Sequence, residues 1–243
     1  MSKSLTPKLV AEFIGTLAFV FIGAGAASVL GGTGLGGVAA IAFAHGLTIM
    51  VFAFAYGSIS GGHMNPAVTI GVLAAGAMRV GDALGYIIAQ LIGGVAGAVL
   101  LLAVLGGTAN GLGVPQLAQG LVLGATTISI TPAAGFVIEA VLAFFLVTAV
   151  LSTAVAGRAG NLAPLAIGMT LTLNIIMGGA LTGAAFNPAR ALGPMVATGN
   201  FADAWLYMTA PFVGAVIAAF VHLGLTRLVG GRTIAHLVAA PAE

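Results

Sequence analysis

The sequence predicts an all-α membrane protein, with six transmembrane helices and two re-entrant half-helices arranged as an inverted three-helix repeat. Its 243 residues are 60% hydrophobic and 5% charged, whereas soluble domains carry about 25% charged residues. Several apolar stretches exceed the roughly 20 residues that cross a bilayer. The tripeptide Asn-Pro-Ala occurs twice, each time before an apolar piece too short to span. Lipid offers no hydrogen bonds to the backbone N–H and C=O groups, so a spanning segment must pair them within itself or within a closed barrel. Such long, uniformly apolar runs are typical of helices rather than of barrel strands.

The spans follow one another with short connections, apart from a long one at 106–132. The first apolar run is too long for the apolar part of a signal peptide, so we expect it to remain as a span. The six predicted spans cover 9–30, 37–57, 83–105, 133–156, 162–179 and 204–229. The two short apolar pieces cover 66–77 and 188–198.

The basic residues predict the orientation. Six of the seven fall in the two tails and in the second-to-third and fourth-to-fifth connections, while 106–132 has none. By the positive-inside rule both termini are cytoplasmic. The six are Lys3, Lys8, Arg79, Arg158, Arg227 and Arg232. The seventh, Arg190, has no role as a topology anchor. We expect an integral protein of the plasma (inner) membrane, in contact with the lipid bilayer.

The two halves of the chain resemble each other. Asn65-Pro66-Ala67 recurs as Asn187-Pro188-Ala189, and the same shift of 122 positions maps Gly46 onto Gly168. We therefore treat 1–243 as a single domain composed of a first repeat, 1–115, and a second repeat, 132–243. Because each repeat holds three spans, an odd number, the second inserts upside down, and the two short segments meet near the midplane.

Each Asn-Pro pair predicts the start of a half-helix. Proline is favoured in the first helical turn, and asparagine before it is a good N-cap. Both half-helix N-termini then direct partial positive charge at the centre. The side-chain amides of Asn65 and Asn187 remain as donors to a central water, whose orientation interrupts a proton wire, and the dipoles repel protons and cations. The alternative is that both are ordinary helix caps.

The residues around these motifs resemble the major intrinsic proteins, the aquaporins and aquaglyceroporins, over essentially the whole chain. The resemblance rests on Ala11-Glu12-Phe13-Ile14-Gly15-Thr16, on Ser60-Gly61-Gly62-His63-Met64-Asn65-Pro66-Ala67-Val68-Thr69, and on Phe186-Asn187-Pro188-Ala189-Arg190. It implies a right-handed helix bundle, a homotetramer with one pore per subunit, and a narrow filter on the extracellular side of the asparagines. The implied activity is passive, proton-excluding passage of water, with no cofactor and no metal.

The resemblance also implies four filter residues. They are His45, Ile175, Ala184 and Arg190. This set departs from the usual water-channel set of Phe, His, a small residue or Cys, and Arg. It is similar to that of plant vacuolar-membrane aquaporins, which pair a second-span His with a fifth-span Ile and in several members pass ammonia, urea or hydrogen peroxide. Glycerol is less expected, because Ala191 rather than Asp follows Arg190.

The polar residues of the apolar spans each have two interpretations. Arg190 is a pore residue or a buried structural arginine, and the cost of an intramembrane charge favours the pore. Glu12 and Glu139 are expected to support the re-entrant loops rather than form a proton relay. His63 lines the cytoplasmic vestibule or packs within its loop. His45 is a filter residue or a packing histidine, and its register favours the filter.

Function follows from these expectations. The leading interpretation is a passive channel for water that also admits small neutral solutes. The transport alternative is a facilitator mainly for ammonia, urea or hydrogen peroxide, and the non-transport alternative is a structural or adhesive tetramer. An enzyme is not expected, because no nucleophile–base pair, cofactor loop or metal cluster is recognisable. The few charges do not favour a nucleic-acid partner.

Overall fold

In a computed structural model, which describes residues 5–31 and 34–228, the chain forms a bundle of membrane-length helices. Within these described residues, six helices are long and apolar enough to cross a membrane, which confirms the predicted all-α fold class with six spans. Lys3 and Arg232, two of the basic residues that predict the orientation, lie outside the described residues.

The first half contains three spans and one short helix. The first span is made of α1 and α2, joined by a π-helical turn at Val20–Ala24. The elements are α1 (Leu5–Phe19), α2 (Gly25–Leu30), α3 (Gly34–Ser60), α4 (Pro66–Ala74) and α5 (Val80–Leu105). The short helix α4 ends earlier than the predicted 77, because Gly76 adopts a left-handed φ of +75° just beyond it.

The long connection contains a small hairpin that was not expected from the sequence pattern. Strands β1 (Leu121–Leu123) and β2 (Thr126–Ile128) pair antiparallel. The β-branched residues of these strands and the left-handed Gly124, with φ +62°, favour such a turn.

The second half repeats the order of two spans, a short helix and a span. The elements are α6 (Pro132–Val150), α7 (Ala163–Thr182), α8 (Pro188–Thr198) and α9 (Ala204–Leu228). A second π-helical turn, Leu151–Val155, extends α6. Thr131 caps α6 by accepting a hydrogen bond from the N–H of Ala134.

Glycines allow the helices to pack closely. At the crossing of α3 and α7, a Cβ on Gly46 would lie 2.6 Å from the carbonyl oxygen of Gly168, and a Cβ on Gly168 would lie 2.6 Å from that of Gly46. Gly97 likewise packs on the backbone of Leu17. Such small-residue contacts are typical of helices in membranes, where van der Waals packing drives association.

The buried core surrounds the two short helices, and the outside of the bundle is apolar. The largest cluster of buried residues includes Val68 and Val72 of α4 and Phe186 of the segment before α8. Large apolar side chains such as Phe54 and Phe220 are more than half exposed. An apolar exterior of this kind suits contact with lipid, and the chain is an integral membrane protein.

Candidate functional site: a polar path through the bundle

Asn65 and Asn187 cap the two short helices, as predicted. Both have extended backbones and are almost completely buried. The Oδ1 atom of Asn65 accepts a hydrogen bond from the N–H of Ala67 at 2.8 Å. That of Asn187 accepts from the N–H groups of Ala189 at 3.0 Å and Arg190 at 3.2 Å. The Asn-Pro sequence thus begins each helix by a local mechanism.

Each asparagine also contacts the loop of the other half. The Nδ2 group of Asn65 donates to the carbonyl oxygen of Phe186 at 3.1 Å, and that of Asn187 donates to the carbonyl oxygen of Met64 at 2.9 Å. An amide nitrogen carries two hydrogens, so each asparagine keeps a second N–H for another acceptor. The same two side chains therefore connect the half-helices and can donate a hydrogen bond to a permeating molecule.

The two loops before these helices have the same backbone course. Three pairs of matched positions, 122 residues apart, have a positive φ in both loops. The pairs are Gly61 (+90°) with Gly183 (+79°), Gly62 (+63°) with Ala184 (+43°), and Met64 (+47°) with Phe186 (+28°). Ala184, Met64 and Phe186 are not glycine, and a left-handed conformation costs such residues about 1–2 kcal/mol each. The surrounding contacts must therefore hold the loops.

Glu12 supplies those contacts in the first loop. Its side chain is completely buried. Oε1 accepts hydrogen bonds from the hydroxyl of Ser60 at 2.7 Å and from the N–H of His63 at 2.9 Å. Oε2 accepts from the N–H of Met64 at 2.6 Å and from the amide of Gln90 at 2.7 Å. Four donors on one carboxylate favour loop support over a proton relay.

Glu139 has an equivalent set of contacts in the second loop. Oε1 accepts from the hydroxyl of Thr182 at 2.6 Å and from the N–H of Ala185 at 3.1 Å, and Oε2 accepts from the N–H of Phe186 at 2.5 Å. The contact from Gln90 has no counterpart, because the matched position, 121 residues later, is Pro211.

Sequence reasoning missed several residues of these networks. Tyr86 donates its hydroxyl hydrogen to the carbonyl of Ser60 at 2.8 Å, and Tyr207 does the same to that of Thr182 at 2.7 Å. The repeat register contained the signal, since the tyrosines match at a shift of 121 and the hydroxyl residues at 122. Gln90 carried no such signal, because its half alone contains it.

Three of the four predicted filter residues line one cavity. His45, Ile175 and Arg190 border a space of about 500 Å³, which we call the filter cavity. Ala184 is not among its lining residues. It is 1% exposed, and its neighbour Gly183 borders the cavity instead.

Arg190 is held by a carbonyl from the long connection. Its Nη1 donates to the carbonyl oxygen of Gly113 at 2.7 Å, while its buried Nε has no hydrogen-bond partner among the described residues. Gly113 follows a tight turn in which Asn110, Gly111 and Leu112 all have a left-handed φ. The guanidinium is therefore fixed at the cavity wall with further donors available.

His45 borders the filter cavity, but its free ring nitrogen is buried beside Gly23 rather than exposed to the cavity. Its Nδ1 lies 2.9 Å from the carbonyl oxygen of Ile41. Because that carbonyl can only accept, Nδ1 carries the hydrogen in the neutral ring and Nε2 has a free lone pair. Nε2 is buried and has no hydrogen-bond partner among residues 5–31 and 34–228.

Two further spaces lie on the other side of the asparagines. A cavity of about 620 Å³, which we call the vestibule cavity, is bordered by Gly57, His63 and Ile167. Between it and the short helices lies a void of about 20 Å³ bordered by His63, Asn65 and Asn187. A void of this size holds about one water molecule.

His63 borders two of these spaces and also packs within its own loop. It borders the vestibule cavity and the small void. Its Nδ1 also lies 3.1 Å from the hydroxyl oxygen of Thr69, and its ring meets that of Tyr86 edge-on at 5.2 Å. In the described part of the chain, no group of three or more His, Asp or Glu side chains is placed to hold a metal ion.

Six membrane-length helices around two capped short helices, with a polar path at their meeting point, define a protein of the membrane-channel class rather than an enzyme. The family model described as Major intrinsic protein matches residues 1–222. The chain belongs to this family.

Curated relatives and a solved structure agree with this assignment. "Probable aquaporin TIP1-2" of Oryza sativa subsp. japonica is 41% identical over 222 residues, covering 88% of this chain and 84% of the relative. "Aquaporin TIP4-4" of Zea mays is 39% identical over 232 residues, covering 92% and 88%. The X-ray structure of the aquaglyceroporin from Plasmodium falciparum has a TM-score of 0.78 at 24% identity, covering 93% of this chain and 99% of that one. This last likeness supports the fold alone.

Proposed function

We propose that this chain is a passive, proton-excluding channel for water that also admits small neutral solutes. The observation that carries the proposal is the pair of asparagine amides at the water-sized void. Each amide donates one hydrogen bond to the opposite loop and has a second N–H free to donate to a permeating molecule. The relatives named aquaporins add independent support.

Proton exclusion follows from the donors at the centre. A water molecule that accepts hydrogen bonds from Asn65 and Asn187 directs its own hydrogens outward, to either side. It therefore cannot pass a proton on through a continuous chain of hydrogen bonds. The N-termini of α4 and α8 add partial positive charge at the same place, which repels protons and other cations.

Selectivity is assigned to His45, Ile175, Ala184 and Arg190. Water forms hydrogen bonds with the guanidinium of Arg190, whereas Ile175 offers neither a donor nor an acceptor, and Nε2 of His45 is buried beside Gly23. Ala184 acts through its backbone and small size, beside the cavity. The fixed charge of Arg190 repels cations.

A facilitator mainly for ammonia, urea or hydrogen peroxide is the second candidate. The combination of His45 with Ile175 favours it, because the aliphatic wall of Ile175 offers no hydrogen bond that would select water over other small neutral molecules. Glycerol remains the less favoured substrate.

The assembly and placement of the chain are part of the proposal. The subunits form a homotetramer in the lipid bilayer, with both termini cytoplasmic and with 1–115 and 132–243 as inverted repeats. Glu12 and Glu139 support the re-entrant loops, and His63 lines the cytoplasmic vestibule. The integral-membrane location stands, but the predicted plasma membrane receives no support from the TIP aquaporins to which the chain is similar.

Stopped-flow shrinkage of proteoliposomes tests the function. An impermeant osmolyte reports water flux, and urea or ammonium gradients report the solutes. Proteoliposomes should shrink faster than empty liposomes, without dissipating a pH gradient that empty liposomes keep. Equal rates with and without protein would refute the water channel, and solute flux without water flux would favour the second candidate.

A further inference from the structure

The imidazole of His45 is fixed by the first span, which contributes two contacts to it. The ring of Phe19 meets it edge-on, with centroids 5.3 Å apart. Gly23, one turn later and inside the π-helical turn Val20–Ala24, lies against the same ring. The hydrogen bond from Nδ1 to Ile41 leaves the ring little freedom to turn.

Gly23 leaves no room for a side chain. A Cβ at this position would lie 2.5 Å from Nε2 and 2.8 Å from Cγ of His45, and closer still to Cδ2. Real Cβ atoms do not approach other atoms so closely, so any side chain at residue 23 requires the ring to move. With Phe19 beside the ring, the free direction is toward the filter cavity.

The backbone does not itself require glycine at residue 23. Gly23 is absent from the glycines with a positive φ, and glycine is less favourable than alanine inside a helix. The matched position of the second half, by the shift of 127 that relates Glu12 to Glu139, is Val150. The position matched to His45, by the shift of 122, is Ile167. There a branched side chain is accommodated opposite an aliphatic one, and both border the vestibule cavity.

We propose that Gly23 is a specificity-determining residue, which sets the width of the filter cavity by giving the His45 ring its place without touching the permeating molecule. The inference deepens the proposed channel function and rests on it for its transport consequences. A side chain at residue 23 pushes the ring toward Arg190 and Ile175, and a narrower opening slows a bulkier solute such as urea more than water.

The transport test compares Gly23→Ala with wild-type protein in proteoliposomes. An imidazole pushed off its preferred rotamer raises the barrier to passage, so we expect urea permeability to fall about threefold to tenfold and water permeability to fall less. Gly224→Ala is the matched control, because it is the same exchange in α9 with no atom within 4 Å of the new Cβ. It should leave both permeabilities unchanged.

The decisive comparison repeats Gly23→Ala in a His45→Ala background. Without the ring there is nothing to displace, so the urea-to-water ratio of the double variant should equal that of His45→Ala alone. An equal loss in both backgrounds, or no change of the ratio in either, would overturn the proposal.

Thermal unfolding tests the contact between Gly23 and the His45 ring independently of transport. Gly23→Ala should lower the midpoint temperature of unfolding when His45 is present, because the new methyl group displaces the ring. In the His45→Ala background it should raise that temperature, because only the helix preference for alanine over glycine remains. If the single variant fails to fold, folding of the double variant supports the contact, and failure of both overturns it. If wild-type protein conducts neither water nor urea, the proposed function fails while the sign of this stability change still tests the role of Gly23.

Discussion

The filter cavity presents different chemistry on each of its walls. Arg190 offers hydrogen-bond donors, Ile175 offers neither a donor nor an acceptor, and the ring of His45 borders the cavity with its Nε2 buried. A water molecule can therefore form hydrogen bonds with Arg190 while it slides past the apolar side chain of Ile175. The cross-section beside Ile175 should limit what passes.

Replacement of Ile175 by tryptophan should close the path. Ile175 is 3% exposed and borders the filter cavity, whereas its neighbour Ile176 is 47% exposed on the lipid side. We expect Ile175→Trp to abolish most water flux, because the indole fills the opening. Ile176→Trp is the control and should conduct like wild-type protein. Full flux through Ile175→Trp, in correctly assembled protein, would place the narrow point elsewhere.

The hydroxyl of Thr182 should matter more than its methyl group. It donates to Glu139 and accepts from the N–H of Ala184. Thr182→Ala leaves the carboxylate with fewer donors and that N–H without its partner, which costs about 1–3 kcal/mol of unfolding free energy. Thr182→Ser keeps the hydroxyl and should retain most of the stability. Thermal or denaturant unfolding in detergent measures both; equal losses would mean that packing of the methyl group dominates.

Among the elements, α3 and α7 make a close approach between the two halves. Gly46→Ala puts a methyl group against the carbonyl of Gly168 and the side chain of Thr172, so the helices must separate. We expect a loss of about 1–3 kcal/mol, as for other overpacked sites. Gly57→Ala is the control on the same helix, since nothing lies within 4 Å of its new Cβ, and it should gain up to about 1 kcal/mol. If both variants have the same unfolding free energy as wild-type protein, the crossing of α3 and α7 tolerates a wider gap.

Elements governed by local chemistry could be predicted from the sequence, and those governed by distant contacts could not. Asn65 and Asn187 predict the start of their helices, because a capping side chain and a following proline act on adjacent residues. The partner of Arg190 is Gly113, 77 positions away, and no pattern in the sequence indicates that pairing. The hairpin at Leu121–Ile128 was missed because its strands are only three residues long.

At the scale of the whole molecule, the two halves share a backbone but differ in polarity. The first half places Gln90 and Thr69 beside its loop, and the second has Pro211 and Ala191 at the matched positions. The filter cavity with Arg190 lies on one side of the asparagines and the vestibule cavity with His63 on the other. The two mouths of the path are therefore chemically distinct, and their orientation across the membrane determines which solution each one meets.

Single cysteines can measure that orientation, because the chain has none of its own. Ala125, at the hairpin turn, and Asn161, in the fourth-to-fifth connection, are both exposed. If the basic connections face the cytoplasm, a membrane-impermeant thiol reagent added to intact cells should label Ala125→Cys and leave Asn161→Cys unlabelled until the membrane is opened. Inside-out vesicles should reverse the result. Labelling of both variants from the same side would contradict the six-span topology, and labelling of Asn161→Cys alone from outside would invert the predicted orientation.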